Sequence, residues 1–225
     1  VTHITFALIR EGTSDEGLVP HIRSLIVAAG ADSVLGAARD YTGTTVARIT
    51  RVLAEESPVD MIFVHRDADS RDHVPRQAEV TAAAAPHVGW EHRIVPVVPV
   101  QELEAWLLAD ELAIRTVVGK PSGRASLGLP AIRNIESTAS PKEVLESACV
   151  MASETTGARR ASTLKSFPRY RSILLERLDP SGNVSQLPSW QRFVDTVQAA
   201  AREFLDEALE EERIALAGVH LPLAN

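Results

Sequence analysis

Three pairs of carboxylates in the N-terminal half of the chain have types and positions that suit metal chemistry. Glu11 and Asp15 follow the apolar run of FALIREGTSDEG. Asp67 and Asp69 follow that of MIFVHRDADS, and Glu102 and Glu104 follow that of IVPVVPVQELEAW. Carboxylates brought together repel one another, and several stay ionised in one cleft only where a cation neutralises them. The counter-charge that suits hard oxygen ligands is a divalent ion, Mg2+ or Mn2+. Glu11 is then placed to help hold a metal, with Gly12 letting the backbone turn sharply beside it.

Each of these acids also has a plainer use. Thr13 and Glu16 form the S/T-x-x-E pattern of a capping box ahead of a helix. Glu11, Asp15, Glu102 and Glu104 stand at or in the first turns of expected helices, where the helix dipole favours negative charge. Asp67 and Asp69 can cap the helix that follows them. His65 closes a buried run and reads as a packed core histidine, although imidazole can also ligate a metal.

The elements that must position these residues alternate. Short apolar, β-branched runs at 4–9, 33–38, 61–64 and 94–98 read as strands, the second of them weak. Helical spacing follows each of them, at 18–29, 45–55, 74–85 and 101–109. This pattern predicts an α/β fold with a parallel sheet of about four strands and helices on both faces. In such sheets ligands bind beyond the carboxyl ends of the strands, where neighbours lie about 5 Å apart. All three acidic pairs belong to that edge. The second half lacks a strand signal. Residues 115–141 are rich in Gly and Pro and read mostly as loop, and helices are expected at 142–151, 169–178 and 189–215. The chain thus divides into an α/β domain over 1–110 and a helical extension over 111–225 packed on it.

The 225 residues are 45% hydrophobic and 24% charged, the balance of a soluble globular protein. No apolar run is long enough to span a bilayer, and VTHITFALI lacks the marks of a signal peptide. Cys149 is the sole cysteine, which excludes an internal disulfide and fits a reducing, cytoplasmic setting. A net charge of −7 argues against nucleic-acid binding by global electrostatics, so such contact needs a local basic surface. Residues 155–175 hold no acid and carry Arg159, Arg160, Lys165, Arg169 and Arg171 interleaved with Phe167 and Tyr170. Residues 112–135 likewise carry only Arg115, Lys120, Arg124 and Arg133 as charges. Either stretch suits a phosphate backbone, or ion pairs with the acidic C-terminal helix.

An apolar strand, then Glu11-Gly12, then a helix, with Asp67-Ala68-Asp69 after the third strand, resembles the Toprim domain of topoisomerases, bacterial primases, recombination proteins and OLD-type nucleases. REGTSDE, HRDADS, VPVQELEAWLLAD, SPKEVL and LPSWQRFVDTV look like a bacterial family of stand-alone Toprim-like proteins of unknown function, associated with ATPase partners and phage-defence loci. The resemblance implies a Toprim-like (Rossmann-like) sheet and Mg2+- or Mn2+-dependent phosphodiester chemistry on nucleic acid, DNA rather than RNA. Glu11, Asp67 and Asp69 are the implied ligands, with Asp15 and Glu102 as further ones. Two metals would need more oxygen ligands, and of the further acids Glu104 is preferred and counted with Glu11, Asp67 and Asp69 as catalytic, because Glu-x-Trp recurs in related Toprim-like proteins. Lys142 joins the basic residues as a nucleic-acid contact. Two other readings stay open. One is a non-catalytic interaction module, docking through its acidic helix to a partner or a second copy of itself. The other is a haloacid-dehalogenase-like phosphatase using Asp67 and Asp69, though that motif belongs on a first strand.

Overall fold

The alternation of side chains along the strands decides which helices cover which face. The computed structural model describes residues 2–56 and 58–218. Four strands, β1 His3–Ile9, β2 Ser33–Arg39, β3 Met61–His65 and β4 Ile94–Val97, form one parallel sheet in the order β2-β1-β3-β4. Ile4, Phe6, Leu8, Met61, Phe63, Val95 and Val97 point to one face, where they meet α1 (Leu18–Ala28) and the helices of the second half. Ala7, Ile9, Ile62, Val64 and Ile94 point to the other, against α2 (Thr45–Glu55) and α3 (Val74–Ala84). Because both faces are covered, β1 and β3 read as continuous apolar runs. β2 is an edge strand with Leu35 59% exposed, which is why its sequence signal is weak.

The second half contributes α4 (Glu104–Leu107), α5 (Glu111–Val118), α6 (Pro141–Ser153), α7 (Gly157–Lys165), α8 (Phe167–Glu176) and α9 (Pro188–Gly218). One hydrophobic core runs from β1 to α9, so residue 110 is not a packing boundary. At its centre Trp106 meets Trp190 edge-on at 5.0 Å and Phe193 at 5.2 Å, and its indole N–H donates to Ser189 Oγ at 2.8 Å. Burying the indoles while satisfying the N–H ties the two halves together.

Three departures from the sequence expectations have local causes. The helix expected at 101–109 is the single turn of α4, because Gln101 takes a left-handed φ of 60°. Residues 115–141 are not all loop: α5 occupies Glu111–Val118, capped by the Asp110 carboxylate on Ala113 N–H at 2.9 Å and closed by Gly119 at φ 87°. α7 escapes detection because it has no apolar stripe and buries Thr163 alone.

Gly36 lies opposite Phe6 in the β1–β2 register, and a Cβ there would sit 2.1 Å from the Phe6 ring. That ring is itself held edge-on to Phe63 at 5.3 Å. Gly36→Ala is expected to lower unfolding stability by about 1–3 kcal/mol through overpacking, read as a shift in the denaturant midpoint.

Candidate active site

The strand order reverses between β1 and β3, and the crevice at their carboxyl ends is where an open α/β sheet binds ligands. Glu11 and Asp67 stand on its two sides. Glu11 reaches across: its Oε2 accepts the Asp67 backbone N–H at 2.8 Å and lies 3.5 Å from Arg66 Nε. Asp67 is fixed in turn, its Oδ1 accepting Leu103 N–H at 2.9 Å from the loop after β4. The β3 and β4 loops go on pairing beyond the strands, Ala68 N–H donating to Pro99 O and Asp69 N–H to Gln101 O. The acids of the three strand ends are thus joined through backbone bonds.

Asp15 belongs to a 3-10 turn, Thr13–Gly17, and is 2% exposed. Its Oδ2 accepts Gly12 N–H at 2.7 Å and His65 Nδ1 lies 3.1 Å away, while its Oδ1 pairs with Arg171 Nη2 at 2.8 Å. Arg171 reaches in from α8. Its Nε donates to Glu104 Oε1 at 2.6 Å and its Nη1 to the Ser14 hydroxyl. Gly17 lets α8 approach, since a Cβ there would lie 2.9 Å from Leu175. His21 Nε2 meets Leu175 O at 2.6 Å. His65 is fully buried, its Nε2 3.4 Å from Asp67 Oδ1, an ion-pair distance without hydrogen-bond alignment.

These contacts set the charge states. Burial pushes the Asp15 carboxyl up, but the bond and charge of His65, the charge of Arg171 and the Gly12 N–H outweigh it and hold it well below the carboxylate range. Burial lowers the His65 pKa, and Asp15 and Asp67 more than reverse that, leaving the ring protonated at neutral pH. Glu102 moves the other way. Burial raises it, aided by Glu104 and Asp67, although its Oε2 accepts Lys142 N–H at 2.9 Å at the start of α6.

Glu11, Asp15, Asp67, Glu102 and Glu104 line one cleft of about 260 Å³ together with Lys142 and Arg171. A larger hollow of about 450 Å³, lined by Thr13, Glu16, Val19 and Glu176 among others, adjoins it across Ser14 and carries less of the acidic chemistry. Asp69 stays out of the acidic cleft. At φ 52° its side chain turns outward, 64% exposed, to Arg76 Nη2 at 2.9 Å. Gly12 lines the cleft with an ordinary extended backbone (φ −126°) and room for a Cβ, so the turn beside Glu11 does not require a glycine. Asp15, not Glu16, bonds back to the turn, and Glu16 pairs with Arg10 at 3.1 Å.

The basic residues divide as well. Arg159, Arg160, Lys165 and Arg169 are exposed, as is Lys142 at the cleft. Arg171 is 6% exposed and is an internal counter-ion, not a surface contact. Arg115 is equally buried, pairing with Glu111 and the Ala125 carbonyl at 2.6 Å. Sequence reasoning had no sign of the Arg171 role, because its partners lie 67 and more residues away.

The donor types in the cleft are hard oxygens, the kind that divalent cations take. Glu11 Oε1, Asp67 Oδ2, Glu102 Oε1 and Glu104 Oε2 make no hydrogen bond among the described residues, so each of four acids keeps a hard oxygen free. Both oxygens of Asp15 are engaged. The free oxygens do not form a closed coordination group: among the described residues no three His, Cys, Asp or Glu cluster tightly enough to hold an ion.

Fold and cleft together define a doubly wound parallel α/β protein with a carboxylate-rich cleft at its switch point. More particularly, the chain belongs to the family described as a domain of unknown function (DUF4276), whose model matches residues 11–198. No curated protein and no solved structure matches it. The family match runs from the turn after β1 into α9 and includes Glu11, Asp67, Glu104 and Arg171 in one unit.

Removing Arg171 leaves Asp15 and Glu104 buried without their cation. Arg171→Met is expected to cost about 3–5 kcal/mol in denaturant unfolding, the range for breaking a buried pair from one side. The shifts also set a pH dependence in metal-free protein. The depressed Asp15 contributes stability that is complete above 3.8 and lost in acid. The raised His65 contributes stability that is complete below 6.5 and lost as pH climbs through its raised pKa. The stability advantage of the wild type over His65→Gln is therefore expected to shrink between about pH 6.5 and 10 in urea unfolding series.

Proposed function

We propose that the cleft is the active site of a Mg2+- or Mn2+-dependent phosphodiester-transfer enzyme, a nuclease acting on nucleic acid, DNA in preference to RNA. One observation carries this reading. Five carboxylates from three strand ends share a cleft with Lys142 and Arg171, backed by the protonated His65 against Asp15 and Asp67, which leaves acids in excess, and four of the five keep an oxygen free. Such an excess of negative charge is costly unless a cation enters. A divalent ion bound there supplies charge neutralisation at a phosphate and a more acidic water.

The chain's own residues prepare the site. Asp67 N–H fixes the Glu11 carboxylate, and Leu103 N–H fixes that of Asp67, so two prospective ligands are held before anything binds. Glu102, its pKa raised first of all by burial, is the member of the set best suited to serve as a general acid or base. Lys142, exposed at the cleft, and the exposed cations of α7 and α8 offer contacts to flanking phosphates in a protein whose net charge is otherwise repulsive. Partnership with an ATPase in phage defence is part of the same proposal and is supported by the sequence resemblance alone.

The phosphatase reading needs Asp67 and Asp69 on one substrate, and the outward turn of Asp69 speaks against it. A docking role has one observation in its favour: Leu209, Ile214 and Leu216 are 59–66% exposed near the acidic end of α9.

Purified protein with Mn2+ or Mg2+, alone and with its genomic neighbour, is expected to cleave DNA. Glu11→Gln and Asp67→Asn should each lower the rate by more than about 100-fold, beyond the effect of outer-shell changes. Absence of cleavage together with absence of metal binding would leave the docking role standing.

A further inference from the structure

The last helix outruns the body it packs on. One face of α9, with Val197, Ala201 and Leu205, is buried in the core. The helix then passes the amino edge of the sheet, where Glu203 lies 3.5 Å from His92 Nδ1 and Glu207 pairs with Arg93 at 3.1 Å, just ahead of β4. Leu205 is the last buried side chain, and residues 209–216 are all exposed. From residue 209 to its end at Gly218 the helix runs on for about 15 Å. Its apolar stripe runs on too: helical spacing puts Leu209 and Leu216 in line with Leu205, 59% and 66% exposed. So short a length of helix is marginal in water without a packed face.

This end is also strongly acidic. Asp206, Glu207, Glu210, Glu211 and Glu212 stand against Arg213 alone, and among the described residues Asp206, Glu211 and Glu212 have no cationic partner. The opposite charge lies at the other edge of the sheet. Arg159, Arg160, Lys165 and Arg169, on α7 and the start of α8, are exposed and make no ion pair among the described residues. Leu164 is 41% exposed among them. This face leads into Phe167 and Pro168 at the cleft, on the carboxyl edge, so the acidic end of α9 and the basic face of the same chain stand apart. Two α9 ends packed on each other would set like charges together, which an interface avoids.

We propose that the exposed end of α9 docks on the α7–α8 face of a second copy of this chain. Leu209 and Leu216 then find an apolar neighbour in Leu164, and the acids of 206–212 meet Arg159, Arg160, Lys165 and Arg169. Each copy has one such helix end and one such face, so a two-fold pair makes the contact twice. The pairing covers cations that the reading above offers to phosphates, but it does not depend on that reading.

Sedimentation equilibrium of the full chain tests it. Wild type is expected as a pair at low salt. Its dissociation constant should rise about 10-fold or more between about 0.01 M and about 1 M salt, as the screening length falls from about 30 Å to about 3 Å. Two charge-reversed variants, Arg159→Glu with Arg160→Glu on α7 and Glu211→Lys with Glu212→Lys on α9, alter exposed side chains only and should each be monomeric alone. Mixed in equal amounts they should pair, because the reversed face of the first meets the reversed helix end of the second, and the two unaltered surfaces meet as in the wild type. A wild type that is monomeric at low salt, an association that either reversal leaves intact, or a mixture that stays monomeric overturns the proposal.

Discussion

The pairing of Arg171 with Asp15 and Glu104 is the interaction on which the organisation of this protein turns. Two carboxylates at 2% exposure demand a partner, since an unpaired buried charge is among the most expensive features a fold can carry. The partner comes from α8, so the acids that end β1 and open α4 cannot be buried until the second half has folded onto the first. The Trp106–Trp190–Phe193 cluster supplies the apolar side of the same joint. The division into a sheet domain over 1–110 and an appended extension over 111–225 therefore describes the order of elements along the chain but not the packing. One core spans both, and so does the family match.

The sheet edge then does what parallel sheets do. Strand order β2-β1-β3-β4 opens a crevice between β1 and β3, and the loops that leave it are knitted by backbone bonds rather than left free. Asp69 and Gln101, both left-handed, are bonded to each other across adjacent loops. Holding two non-glycine residues in that region is the kind of local strain that collects at functional sites. Here its effect is visible: it sends Asp69 outward to Arg76 and cuts the helix after β4 to one turn, which leaves Glu104 at the helix start, facing Arg171.

Much of this was legible in the sequence, for physical reasons. β1 and β3 are buried on both faces and therefore continuous apolar runs, so their ends, and with them Glu11 and Asp67, could be placed within a residue or two. Most helices that carry an apolar stripe are equally visible; α5 is the exception, masked by the Gly- and Pro-rich segment that follows it. α7 is not visible either, because a helix that buries only Thr163 leaves no periodic trace. Asp69 looked equivalent to Asp67 because spacing says nothing about a left-handed turn between two acids. Arg171 was read as part of a basic surface because its neighbours in sequence, Arg169 and Lys165, are exposed cations, and the carboxylates that claim it are distant in the chain. Long-range charge pairing is the class of information that a local reading lacks.

Mn2+-soaked crystals, with an anomalous difference map, test the central claim most directly. The account predicts a peak in the cleft bounded by Glu11, Asp67 and Glu102, with Arg171 still engaging Asp15 and Glu104. A map without a peak in this cleft, or with an ion on Asp15 in place of the guanidinium, contradicts it.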